Sequence, residues 1–287
     1  MKNLGVSLVF VLLSTCLWAQ EIELIEAASP IYNFDMNLDL PFDLETTEKA
    51  PLKYYALIIS VQNYEDKGIK DLDYPVEDGE KIRKMLQDYY TFDPSYTTHL
   101  KNPTLKQITD ALSELATKVG LKDNLLIFYA GHGYWDEDAK QGYWLPTDAK
   151  KGTANTWLSN KDLRDYIQKI KARHTLLLAD ACFSGSIFKT RSAFFNAPEA
   201  IQKLYDSPSR KAITSGALSE VPDKSVFLEF VIKRLGQYPG KFLTAEKLFI
   251  SMKEEVIAKS KSGQLPQYGE IDVTGNAGGD FIFVRKK

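Results

Sequence analysis

From Lys53 onward, short unbroken apolar runs alternate with segments whose apolar positions recur at helical spacing. KYYALIISV reads as a strand that stops at the polar QNYEDKG, and Pro75-Val76-Glu77 opens a helix with Ile82, Met85, Leu86 and Tyr89 in its apolar stripe. A short extended TTHL precedes NPTLKQITDALSEL. There Thr104 and Gln107 have the capping-box spacing, and Leu105, Ile108, Leu112 and Leu115 form the stripe. NLLIFYA is a strand ending at Gly131-His132-Gly133, GYWLPTDA a small hairpin, and LSNKDLRDYIQKI a helix with Ser159 and Asp162 as its cap pair. TLLLAD is the strand that leads into Cys182. KAITSG follows as another, then the helices VFLEFVIKRL and AEKLFISMKEEVI, and DFIFVR closes the domain. Apolar strands alternating with amphipathic helices predict an α/β fold, a mostly parallel central sheet with helices on both faces, in one domain from 53 to 287.

The segment before Lys53 follows different rules. Residues 1–19 have the layout of a secretory signal peptide: Lys2, an apolar stretch from Leu4 to Leu13, then smaller residues to Ala19. Cleavage after Ala19 is the expectation, and with it export to the periplasm or the medium. Lipid attachment at Cys16 is the alternative, disfavoured by the bulk of Thr15 before it. Residues 20–52 are acidic, proline-interrupted and aperiodic, and read as an extended arm. Cys16 leaves with the signal, so Cys182 is the sole thiol of the mature chain and has no intramolecular disulfide partner.

Charge adds exclusions rather than a partner. Lys plus Arg is 36 against 38 for Asp plus Glu, with both signs scattered, so no basic stripe points to nucleic acid. After signal removal no apolar run remains that could span a membrane.

Parallel sheets gather reacting groups outside the carboxyl ends of their strands. One such end delivers His132, another Asp180-Ala181-Cys182-Phe183-Ser184-Gly185. If both strands run the same way, imidazole and thiol emerge on one rim. A thiol becomes a useful nucleophile as the thiolate, and a neighbouring imidazole can take its proton and return it to a leaving amine. Glycines flanking the histidine allow close approach and leave N–H groups for a developing oxyanion. Asp180 complicates this picture, because side chains alternate along a strand and its carboxylate would share a side with Cys182 and raise the thiol's pKa. Either a substrate cation offsets that charge or Asp180 accepts N–H bonds from the loop.

Residues 53–287 resemble the caspase-like cysteine peptidases, closer to bacterial metacaspases and paracaspases than to animal caspases. The matching stretches run in order: YYALIISVQNY, YPVEDGEKI, HLKNPT, LLIFYAGHG, YWLPTDA, LLLADACFSG, TSGALSE before SVF, and PQYG with GGDFIFV. A histidine about 50 residues before the cysteine is also the caspase spacing. The resemblance implies a three-layer caspase-like fold, His132 as general base and acid, Cys182 as nucleophile, and the amides of Gly133 and Cys182 as oxyanion donors. It further implies cleavage after Arg or Lys, the basic P1 side chain held by Asp180 and completed by Asp78 and Glu220. For Asp78 the other reading is a first-turn charge favoured by the helix dipole.

Between Gly185 and Ala212, Lys189, Arg191, Lys203, Arg210 and Lys211 are candidate sites of self-processing. His99 and His174 lack flanking glycines and read as structural. No cofactor is expected. Asp136, Glu137 and Asp138 leave calcium as an option, although they lack the ligand alternation of a known loop. Two further readings stand beside the peptidase: a catalytically silent caspase-like binding or scaffolding module, and a clostripain-like or gingipain-like peptidase.

Overall fold

A computed structural model describes residues 52–181, 187–189, 198–216, 224–261 and 263–286. The expected signal segment, all of the arm but Leu52, and both Cys182 and Glu220 lie outside these residues.

Among the described residues the central sheet has seven strands in the order β2-β1-β3-β7-β9-β11-β8. They are β1 (Tyr54–Ser60), β2 (Thr97–Lys101), β3 (Asn124–Ala130), β7 (His174–Asp180), β8 (Phe188–Lys189), β9 (Ser209–Thr214) and β11 (Gln267–Ile271). The five from β2 to β9 are parallel, and β11 runs antiparallel to both its neighbours. Every residue of β1, β3 and β7 is buried. That is the continuous apolar run a strand needs when both faces of its sheet are covered. Register decides where these strands end: Ser60 pairs with Ala130, and Ala130 with Asp180, so three carboxyl ends lie level.

Among the described residues six helices flank the strands: α1 (Pro75–Tyr89), α2 (Leu105–Lys118), α3 (Asn160–Lys169), α4 (Pro198–Asp206), α5 (Val226–Gln237) and α6 (Ala245–Lys259). Side-chain alternation divides the core between the two faces. Ala56, Ile58, Phe128 and Leu178 pack with Ile82 and Leu86 of α1, Phe230 of α5 and Leu248 of α6. Leu57, Ile127, Tyr129 and Leu177 pack with Ile108 and Leu112 of α2 and Leu163 and Ile167 of α3. The helix starts obey local chemistry. Thr104 and Gln107 close the predicted capping box, Ser159 accepts from the Asp162 amide, and Pro75 opens α1.

Several expectations change in detail. Tyr89 leaves the α1 stripe and is exposed, while Tyr90 beyond the helix is buried. The hairpin is β4 (Gly133–Asp136) with β5 (Gln141–Trp144), extended by β6 (Leu158–Ser159), so its first arm precedes the stretch read as a hairpin. The closing apolar run forms β12 (Ile282–Val284) outside the main sheet, paired with β10 (Phe242–Thr244). The stretch from Gly185 to Ala212, read as the segment of candidate cut sites, contains among its described residues α4 and the start of β9. Arg210 and Lys211 are buried inside β9, which removes them as cut sites in the folded chain. Among the described residues no helix is long and apolar enough to cross a membrane.

Candidate active site

The rim formed by the level ends of β1, β3 and β7 carries most of the described candidates. Beyond Ala130 the chain turns at Gly131, with φ +157°; a Cβ there would sit 2.8 Å from Tyr129 Oη and 3.1 Å from Val61 Cβ. A side chain is therefore excluded where the histidine must be turned onto the rim.

His132 is half-buried and held from three directions. Its amide donates to Tyr64 Oη at 2.8 Å, and its carbonyl accepts from Tyr129 Oη at 2.6 Å and from the Leu145 amide at 3.1 Å. Burial pushes the Tyr64 phenol above its ordinary range, so it stays protonated and serves as a neutral acceptor. The ring nitrogen Nε2 lies 2.9 Å from the Lys70 carbonyl. A carbonyl can only accept, so in the neutral ring Nε2 carries the hydrogen and Nδ1 keeps the lone pair. In that tautomer Nδ1 is the ring atom able to accept a proton. Gly133 follows as the first residue of β4, in register with Trp144.

Asp180 closes β7 and is buried, and its Oδ1 has no hydrogen-bond partner among the described residues. Burial pushes its carboxyl up to about 6; the Ser225 and Ser215 hydroxyls pull it back, and charge on Asp78 adds a further push. Ser215 acts by proximity, its Oγ closing no hydrogen bond of ordinary geometry. Asp78, also buried, sits in the first turn of α1 with Lys81 Nζ 3.1 Å from its Oδ1. The structure thus brings Asp78 and Asp180 within electrostatic reach of each other, with Lys81 as a partly exposed counterion shared with Glu77 at 2.9 Å. Cys182 lies two residues beyond Asp180 in sequence, and it and Glu220 fall outside the described residues.

Sequence reasoning missed the tyrosines that hold His132 and the serines beside Asp180. Ser225 was legible as the N-cap of α5, where it accepts from the Leu228 amide. Tyr64 and Tyr129 offered no such signal, because a tyrosine near an apolar strand reads as core.

The remaining candidates take structural parts. His99 sits mid-strand in β2, with Nε2 3.0 Å from Ser60 Oγ. His174 opens β7 and is fully buried between Ser209 Oγ at 2.8 Å and the Tyr205 carbonyl at 3.0 Å. Asp136 Oδ1 accepts from the amides of Asp138 and Ala139, closing the hairpin turn, and Glu137 pairs with Lys140. Among the described residues no group of three or more His, Cys, Asp or Glu side chains is arranged to hold a metal ion. A separate cleft of about 660 Å³, bordered by Tyr143, Trp157, Asp162 and Tyr166, contains none of the candidate catalytic residues.

Solved structures share this architecture. Caspase-1 from Spodoptera frugiperda aligns with a TM-score of 0.56 at 16% identity, over 80% of this chain and 94% of its own. A protein from Geobacter sulfurreducens aligns with a TM-score of 0.53 at 16% identity, over 80% of this chain and 99% of its own. At such identity the likeness is one of fold. No curated protein matches the chain. The family model of the caspase domain, peptidase C14, matches residues 53–276, most of the sequence, and the protein therefore belongs to the caspase-domain peptidases.

Proposed function

We propose that this protein is an exported cysteine endopeptidase that cuts after Arg or Lys through a dyad of His132 and Cys182. The observation that carries the dyad is the register pairing of Ala130 with Asp180. Each residue stands two positions before its dyad member, on parallel strands that lie about 5 Å apart.

In this reading the Cys182 thiol gives its proton to His132 Nδ1, and the sulfur attacks the scissile carbonyl carbon. The carbonyl oxygen becomes an oxyanion facing the amides of Gly133 and Cys182, where one lost donor typically slows turnover about 100-fold or more. Collapse breaks the C–N bond, and the imidazolium returns its proton to the departing amine. Water, deprotonated by the same imidazole, then hydrolyses the thioester and frees the thiol.

Specificity follows from the carboxylates. A long cation entering beside Asp180 and Asp78 satisfies the open oxygen of Asp180 and relieves the charge that otherwise opposes a thiolate nearby. Glu220 belongs to the same pocket by resemblance. An acidic side chain would meet like charge. Self-processing falls within the same proposal at Lys189, Arg191 or Lys203, since Arg210 and Lys211 are buried in β9. Intact mass of wild type beside Cys182→Ala tests it, the variant remaining uncut. Export is read from the first 19 residues and predicts a mature chain starting at Gln20.

Paired fluorogenic peptides differing only in P1 test the reading. Arg and Lys peptides are expected to be cleaved at least about 100-fold faster than the Asp peptide. Cleavage after Asp, or none after Arg and Lys, would overturn the pocket.

A further inference from the structure

Ser60 ends β1 level with Ala130 and, through it, with Asp180. Its buried hydroxyl lies 3.0 Å from Nε2 of His99, a residue of the edge strand β2 that pairs in register with Ile58. The contact therefore runs diagonally between two strands. The other imidazole nitrogen, Nδ1, is 3.6 Å from Glu80 Oε2, a charge contact rather than a hydrogen bond. Glu80 is fixed in turn by Arg83, whose Nε donates to Oε2 at 3.0 Å. None of these groups has a part in the steps that cleave the peptide.

What rests on the pair is Gly79. A Cβ at that position would fall 2.1 Å from Ser60 Oγ and 2.6 Å from His99 Nε2, far inside contact distance. Gly79 stands between Asp78 and Glu80 in the first turns of α1, so backbone lies directly on the serine and the imidazole. Their height above the sheet sets the height of the turn. Burial and Lys101 hold the imidazole pKa below its ordinary value, opposed by Glu80, so at neutral pH an uncharged ring is packed under the helix.

We propose that His99 and Ser60 are positioning residues for substrate selection: they seat the first turn of α1 and thereby fix the separation of the Asp78 and Asp180 carboxylates. The inference rests on the reading of those carboxylates as the pocket for a basic side chain. Coulomb energy varies inversely with distance, and a planar guanidinium needs its acceptors at defined positions, whereas an ammonium is a point charge that tolerates displacement. Preference for Arg over Lys is therefore the property most sensitive to the seat.

Steady-state kinetics of the full chain on matched Arg and Lys peptides test this with three variants. His99→Leu removes the polar contact. Gly79→Ala keeps both chemical groups and lifts the turn off them. His99→Gln retains a side-chain amide able to bond Ser60. The first two are expected to raise KM for the Arg peptide about tenfold or more, change kcat by less than about threefold, and shrink the Arg/Lys ratio, with His99→Gln close to wild type. Alkylation of Cys182 by iodoacetamide, which has no basic group, should be unchanged in all three. Wild-type KM values and Arg/Lys ratios in both His99→Leu and Gly79→Ala would overturn the inference. So would parallel losses of kcat and alkylation, the mark of general damage; Gly79→Ala decides should His99→Leu not fold. A wild-type protein that cleaves neither peptide defeats the pocket reading itself, and is recognised before any variant is made.

Discussion

Asp180 is where a single side chain has the most to say. Its folded pKa of about 6 stands above the ordinary carboxylate value of 3.8, so between those limits the folded state binds more protons than the unfolded. Its contribution to stability is greatest below that window and falls as pH rises through it, on the order of 3 kcal/mol of cost at pH 8. Asp180→Asn should accordingly melt higher than wild type at pH 8 and lose the advantage near pH 4. Activity has the opposite sign. Only the ionised carboxylate attracts a cation, so kcat/KM for an Arg peptide should fall as pH drops through about 6, and Asp180→Asn should be slow and lack that inflection. A more stable variant that has lost its Arg preference would be the signature of a buried charge kept for function. At the neighbouring strand end, Gly131→Ala should lower kcat about tenfold or more with little change in KM. The added methyl meets Tyr129 Oη, the group that holds the His132 carbonyl, and steady-state kinetics separate the two constants. The chemistry-bearing types at Asp180 and His132 were legible in sequence because each sits at an abrupt end of an apolar run. Their supports, the Lys70 carbonyl and the Tyr64 and Tyr129 hydroxyls, were not, since backbone carbonyls and core tyrosines look alike wherever they occur.

Elements were readable where one local rule governed them. β1, β3 and β7 are buried on both faces and so spelled mostly by apolar residues, with polar ones at their ends, and α2 and α3 begin at side chains whose caps form as spaced. β11 escaped because its sequence, QYGEI, is mostly polar; it is held by pairing with β9 and β8, a long-range cause that no local pattern contains. The apolar run that forms β12 pairs with β10 and not with the main sheet. The join between β7, α4 and β9 has a measurable consequence. His174 lies fully buried among them; burial pulls its pKa down to about 3, Arg173 and Arg210 add to that, and the Tyr205 carbonyl opposes it. The folded state therefore keeps a neutral ring. This stability is complete above the ordinary histidine value of 6.5 and is lost as pH falls from there toward 3. Asp180 pulls the other way over a narrower range, so the histidine wins and the folded domain should weaken in acid. Denaturant titrations at pH 7 and pH 4.5 should show the loss, and His174→Phe should reduce the difference between them.

At the scale of the whole molecule, a family resemblance read from ordered short motifs is borne out by the match over residues 53–276 and by the fold shared with caspase-1. The layers follow from alternation: one strand supplies both cores, and the helices on each face cover the residues that point to them. Five parallel strands then share a direction, and their carboxyl ends make one rim that receives chemistry from segments far apart in the chain. Register was the part no sequence pattern could supply, since apolar runs buried on both faces slide past one another without exposing a polar face. That register sets Ala130 beside Asp180, each two positions before a member of the proposed dyad. The claim is tested most directly by the rate of Cys182 alkylation with iodoacetamide as a function of pH, in wild type and His132→Ala. A thiol paired with the imidazole should react well below its ordinary pKa of about 8.5, and the variant should move the midpoint back toward that value. Superimposable profiles would mean that the thiol does not sense the histidine, contradicting the dyad.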